Sequence, residues 1–150
     1  MSSNILDNLL ADIKNAMKSR ENDKLTALRT LHAQIKDATV NLGKEVTDGD
    51  AAMVIAKAIK QRLDAAEQFK QGARQDLADK ELMEADLFKK YQPAQLTPEE
   101  INELVRKAIS ETGAVGRKEM GKVMAVLMPQ VKGRADGKLV NQVVQGMLAP

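Results

Sequence analysis

Apolar residues return every three or four positions along nearly the whole chain, and runs that alternate apolar with polar residues are missing. Such a chain is built to bury helical stripes, not the faces of a sheet. Ile5, Leu6, Leu9, Leu10, Ile13 and Met17 predict a first helix that starts after Ser3. A second is expected from about Asp23 to near Gly43, with Leu25, Leu28, Leu31, Ile35 and Ala38 on its apolar face. Thr47-Asp48-Gly49-Asp50 reads as a turn and helix cap. It opens a third helix that carries Val54, Ile55, Ala58, Ile59, Ala66 and Phe69 to Gly72. The fourth, roughly Gln75 to Lys90, uses Leu77, Leu82, Met83, Leu87 and Phe88. It must stop near Tyr91-Gln92-Pro93, because the residue before proline disfavours helical dihedrals.

Thr97-Pro98-Glu99-Glu100 supplies a cap, a proline at the first helical position and a glutamate three residues after the cap. Ile101, Leu104, Val105, Ala108 and Ile109 then form the stripe of a fifth helix, and Gly113 suits its left-handed end. A sixth helix is predicted from about Lys118 through Met120, Val123, Met124, Leu127 and Met128. Pro129, Gly133 and Gly137 are expected to break the pattern before a last helix built on Leu139, Val140, Val143, Val144, Met147 and Leu148. The expected fold is all-α: an N-terminal four-helix domain over residues 1–92, followed by a small three-helix domain over residues 97–150.

Composition excludes several kinds of chemistry. Phe69, Phe88 and Tyr91 are the only aromatic rings, so base stacking of the kind most single-strand RNA binders use has little to work with. A nucleic-acid ligand would be read through its backbone and shape. There is no cysteine, which removes disulfides, thiolate metal sites and thiol nucleophiles, and the expected location is a reducing compartment, the cytoplasm. Met1-Ser2-Ser3-Asn4 lacks the basic start and apolar run of a signal peptide. No stretch approaches the roughly 18 apolar residues of a membrane span, so a soluble, non-exported protein without a membrane partner is expected. His32 is the sole histidine and has no matching ligands in its pattern. Glu81, Glu84 and Asp86 lack the paired Glu-x-x-His repeats of a di-iron bundle. With no Gly-x-Ser-x-Gly and no nucleophile–base pair, no catalytic residue, metal or cofactor is expected.

The stretch from Met120 to Lys138 concentrates what remains. From Arg117 to Lys138 the local charge is +4, whereas the other 128 residues sum to −2. Lys132, Arg134 and Lys138 surround Gly133 and Gly137 just before the last helix, where free amides and flanking cations can hold a phosphate. Turn chemistry explains the same residues: Gly133 would end one helix, Asp136 would cap the next, and the cations would be solvated. The stretch is not a P-loop, since Gly133 and Gly137 are four apart and Leu139 follows Lys138. Gly121, between Lys118 and Lys122, is expected inside the sixth helix. There it would allow close approach, either of a neighbouring helix or of an RNA backbone. Met120, Met124 and Met128 are expected in the core. Lys60, Arg62, Asp64 and Glu67 on the third helix form either a solvated charged face or a partner-binding surface.

These residues carry a family resemblance. Leu28-Arg29-Thr30-Leu31, Ile59-Lys60-Gln61-Arg62, Glu67-Gln68-Phe69, Gly72-Ala73-Arg74-Gln75-Asp76-Leu77 and Tyr91-Gln92-Pro93 resemble the GatB/YqeY family, in its stand-alone YqeY-like form. The most specific matches are Met120-Gly121-Lys122-Val123-Met124 and Lys132-Gly133-Arg134-Ala135-Asp136-Gly137-Lys138-Leu139-Val140. Gln92 before Pro93, where an apolar residue is usual, and Ala125-Val126, where Gly-Ala is common, are small departures. The resemblance implies two helical subdomains, the second similar to the tail of the B subunit of the glutamine-dependent tRNA amidotransferase. In that enzyme the tail helps hold tRNA, at a place remote from the chemistry. A carbon–nitrogen ligase label would be inherited through this tail alone, because the catalytic cradle of that subunit has no counterpart here. Two expectations follow. One is a non-catalytic module that binds tRNA or structured RNA through Lys118, Gly121, Lys122, Lys132, Gly133, Arg134, Gly137 and Lys138. The other is a protein-interaction accessory of a translation or amidotransferase complex, with Lys60, Arg62, Asp64 and Glu67 at the contact.

Overall fold

The computed structural model describes residues 4–150. Every regular element among them is a helix, apart from one isolated bridge between Gly116 and Ala149. None of these helices is long and apolar enough to cross a membrane. The chain divides into two compact units, with the division between Gln92 and Pro93.

In the first unit α1 (Asn4–Ser19) buries Leu9, Ile13 and Ala16 along one stripe. Ser3, after which the helix is expected to start, lies outside the described residues. The helix ends through a left-handed residue, Arg20 at φ 58°, and the Glu21 amide reaches back to the Ala16 carbonyl at 3.1 Å. α2 (Asn22–Thr39) buries Ala27, Leu28, Leu31, Ile35 and Thr39. It stops short of the expected Gly43 because the chain beyond Thr39 has nothing left to bury: Val40 is 68% exposed. Thr39 itself turns back, its hydroxyl donating to the Ile35 carbonyl at 2.6 Å. α3 (Asp48–Gln71) opens with a reciprocal cap. The Asp50 amide donates to Thr47 Oγ1 at 3.2 Å, and the Thr47 amide donates to Asp50 Oδ2 at 3.1 Å. The first turn of α1 is tied to this start by the Ile5 amide, which donates to Asp48 Oδ1 at 3.0 Å.

α3 and α4 (Gln75–Lys89) pack as an antiparallel hairpin through a seam that includes the buried alanines Ala58, Ala66, Ala78 and Ala85. The turn between them uses Ala73 at φ 59°, and the Arg74 amide donates to the Phe69 carbonyl at 2.8 Å. Arg62 crosses the seam. Its Nε lies 3.4 Å from Glu84 Oε2, and its guanidinium carbon sits 5.1 Å from the centre of the buried Phe88 ring. Both charged side chains are largely desolvated, 13% and 16% exposed. After α4, the Tyr91 hydroxyl donates to Asp12 Oδ2 at 2.5 Å and so fastens the end of the unit to α1.

In the second unit α5 (Pro98–Thr112) begins as expected, with Thr97 Oγ1 accepting the Glu100 amide at 3.2 Å. It ends at Gly113, whose φ of 67° is the left-handed conformation that glycine adopts without a side-chain penalty. The sixth helix departs from expectation at both ends. Arg117–Glu119 forms a single 3₁₀ turn, and α6 (Met120–Val131) starts only after it. Pro129 does not break α6. Its ring removes only its own amide, and the last turn is held by the burial of Val131 and by the Lys132 amide, which donates to the Met128 carbonyl at 2.9 Å. α7 (Gly137–Met147) buries Val140 and Val144, with Leu148 just beyond it. Leu139 and Met147, expected on its apolar face, are exposed, so the buried stripe is narrower than the residue types suggest. Ala149 clamps the chain end. Its amide donates to the Val115 carbonyl at 3.1 Å, and its carbonyl accepts the Arg117 amide at 2.9 Å.

Two polar ties in the first unit give measurable consequences. Arg62→Ala strands the Glu84 carboxylate and removes the cation from Phe88, and should lower unfolding free energy in urea by about 2 kcal/mol. Lys60→Ala, on the exposed side of α3, should change it by less than about 0.5 kcal/mol. Burial first, then the hydrogen bond and negative charge of Asp12, raise the Tyr91 pKa above the ordinary tyrosine range. The folded state therefore keeps this proton to higher pH than the unfolded chain does. The stabilisation is complete below about pH 10 and declines as pH rises beyond it. Tyr91→Phe should cost about 1.5 kcal/mol at neutral pH and flatten that alkaline decline, as read from denaturation midpoints.

Candidate nucleic-acid interface

The turn between α6 and α7 is locked from inside the second unit. Gly133 is buried and left-handed at φ 75°, which lets the Arg134 and Ala135 amides both return to the Val131 carbonyl, at 2.9 and 3.1 Å. The segment Pro93 to Leu96 lies against this turn. The Leu96 amide donates to the Arg134 carbonyl at 2.8 Å, Gln95 Nε2 donates to the Gly133 carbonyl at 3.1 Å, and Arg134 Nε donates to the Ala94 carbonyl at 3.3 Å. At the start of α7 the Lys138 amide donates to Asp136 Oδ1 at 3.0 Å. The helix therefore already has an anion at its positive end, supplied by its own chain. Both halves of the turn explanation are present, and a phosphate at these amides would have to compete with Asp136.

The side chains of the basic residues are placed differently. Lys118 is exposed on the 3₁₀ turn, and Lys122 is 71% exposed with its ammonium 3.9 Å from Glu119. Lys138 is exposed, while Lys132 and Arg134 are half-buried. What is one cluster in the sequence becomes two groups at opposite ends of α6. Lys122 and Lys132 are ten residues apart, about 15 Å along the helix axis at 1.5 Å per residue. Gly121 lies in the first turn of α6, and a Cβ placed there meets nothing within 4 Å. The expected neighbouring helix is not there, because the buried stripe of α6 is Val123, Leu127 and Val131. Gly137 faces open space in the same way. Met120, Met124 and Met128 are half-buried against the core of this unit, at its edge.

The proposed partner-binding residues do not act as one face. Lys60, Asp64 and Glu67 are four and three residues apart and form an exposed stripe on α3. Arg62 is rotated to the far side, where it is engaged by Glu84 and Phe88. His32 is half-buried, and among the described residues no group of three or more histidine, cysteine, aspartate or glutamate side chains could hold a metal ion.

One concave feature escaped the sequence reading. An open groove of about 620 Å³ in the second unit is lined by Leu96, Glu100, Glu103, Leu104, Arg106, Lys107 and Arg134. Glu100, Glu103, Leu104 and Lys107 share a face of α5 by their spacing, and that much was visible in the sequence. Leu96 and Arg134 close the groove only because the Pro93–Leu96 segment is bonded to the α6–α7 turn.

The family described as Yqey-like protein matches residues 6–148. A Pyrenophora tritici-repentis protein named "Altered inheritance of mitochondria protein 41, mitochondrial" is 34% identical over 144 residues, covering 94% of this chain and 79% of the relative. Proteins of the same name from Clavispora lusitaniae and Saccharomyces cerevisiae are each 36% identical, over 58% and 55% of this chain. The chain spans about half the length of these two, 51% and 45%. The mitochondrial names of these relatives overturn the expected cytoplasmic location. That expectation rested on the absence of cysteine, which reflects redox conditions and does not single out one reducing compartment. The match across nearly the whole chain, on an all-helical fold, places this protein in the YqeY-like family.

Proposed function

We propose that this chain is a non-catalytic helical module that binds tRNA or a related structured RNA through the basic surface of its second unit. The separation of Lys118 and Lys122 from Lys132, Arg134 and Lys138 by about the length of α6 carries the reading. A single phosphate reaches one group, whereas a polyanion reaches both. Side chains make these contacts, since Asp136 already occupies the start of α7. Gly121 and Gly137, open to solvent, let a backbone come close. Gly133 serves the turn. The scarcity of aromatic rings favours reading of shape and phosphate over stacking. A carbon–nitrogen ligase activity would rest on the family's shared tail alone and has no support from residues in this chain. The names of the relatives make a mitochondrial setting the one to test by fractionation.

Contacts from Lys122, Lys132, Arg134 and Lys138 imply four displaced counterions and, for a double-stranded target, a log–log salt slope of about −3.6. Filter binding of unfractionated tRNA at low salt should show this slope. Arg134→Ala and Lys138→Ala should each weaken binding and reduce the slope by about 0.9. Absence of tRNA binding at low salt, or unchanged affinity in both variants, rejects the proposal. Gly121→Ala separates two uses of that glycine. It should raise thermal stability by up to about 1 kcal/mol, because it adds a helix former in open space. If the backbone is an RNA contact it should also weaken tRNA binding, and unchanged affinity would remove Gly121 from the interface.

A further inference from the structure

The groove on α5 does not fit a surface that only holds phosphates, since two of its lining residues are glutamates that would repel them. Glu100 is partly occupied: its Oε1 accepts the Thr97 hydroxyl at 3.2 Å. Glu103 stands three and four residues before Arg106 and Lys107, the spacing at which helical ion pairs close. Among the described residues, however, no ion pair or side-chain hydrogen bond joins these three. The groove thus presents an uncommitted carboxylate beside uncommitted cations, over a floor formed by the half-buried Leu96 and Leu104. Arg134, which also lines the groove, has its Nε held by the Ala94 carbonyl, and its two terminal nitrogens are not used in that bond. A volume of about 620 Å³ lies within the range of roughly 300 to 1,000 Å³ typical of small-ligand clefts.

We propose that this groove takes one unpaired nucleotide of the bound RNA, with guanine preferred to uracil. The inference rests on the RNA-binding reading above and adds a base-specific site to it. The base lies over Leu96 and Leu104, an aliphatic floor in place of the aromatic platform that this chain lacks. The carboxylate of Glu103 can only accept hydrogen bonds. It therefore favours the base edge with two adjacent donors, N1–H and N2–H of guanine, over the single donor and flanking carbonyl oxygens of uracil. Arg134 and Lys107 take the phosphate. A paired base is excluded, because its donor edge is already engaged by its partner.

Titration of the isotope-labelled full chain with GMP and with UMP, followed by NMR, tests this directly. GMP should shift the amides of Leu96, Glu103, Leu104, Lys107 and Arg134 and bind about tenfold more tightly than UMP, the discrimination expected of one bidentate base contact. Glu103→Gln, an exposed and near-isosteric change, should remove that preference. Equal binding of GMP and UMP, or shifts centred away from the groove, overturns the nucleotide site. If tRNA is still bound in that case, the RNA-binding reading stands; if tRNA is not bound either, both fail. A photoreactive residue at position 107 that captures a ribonuclease-resistant protein adduct in place of RNA also overturns the proposal.

Discussion

Burial without large rings is the constraint on which the fold depends. Among the described residues Phe88 is the only fully buried ring, and apart from Tyr91 the remaining core is aliphatic, with alanine at many of the positions where helices meet. Alanine loses no side-chain entropy on folding and lets backbones approach closely, so the α3–α4 hairpin can pack along its length without bulky knobs. Such a seam is short of shape features that fix its register. Across this seam Arg62 supplies one, between Glu84 and Phe88, while Tyr91 on Asp12 and the Ile5 amide on Asp48 fasten α1 to the unit. Each joins residues at least 22 positions apart, and each is directional where dispersion is not.

In the second unit the equivalent role falls to backbone groups. The turn from Lys132 to Asp136 gives its carbonyls at Gly133 and Arg134 to the Pro93–Leu96 segment and uses Asp136 to cap α7. A motif that looks like a phosphate cradle thus spends much of its backbone hydrogen-bonding capacity on holding its own unit together. The backbone and the side chains of the turn therefore play different parts. The backbone of the turn fixes geometry, while Lys138 is exposed and Lys132 and Arg134 are half-buried beside it. Arg134 has two parts to play, since its Nε is held by the Ala94 carbonyl and the residue also lines the groove with Leu104 and Lys107.

Much of the fold was legible. Helices with explicit start and stop chemistry matched closely, as at Thr97-Pro98 and Gly113, because capping depends on residues within one turn of each other. The misreadings fall where tertiary burial outweighs local propensity. α2 ends once there is no core left to reach, Pro129 stays within α6 because Val131 is buried, and Leu139 and Met147 are apolar yet exposed. The site was legible in part. Its cations could be named, but their grouping followed the linear sequence and not the axis of α6. Arg62 was grouped with Lys60, Asp64 and Glu67, although a turn of 100° per residue sets it apart from their stripe.

The sequence by itself determined that this chain is helical, where most of its helices begin and end, and which residues bring charge, because periodicity, caps and composition are local properties. Tertiary structure decided which of those residues remain available. Whether Arg62 faces solvent or Phe88, whether Gly121 meets a helix or open space, and whether Arg134 closes a groove with Leu96 all depend on contacts between residues far apart in the chain. Such contacts follow from how the stripes pack, and no local pattern encodes them.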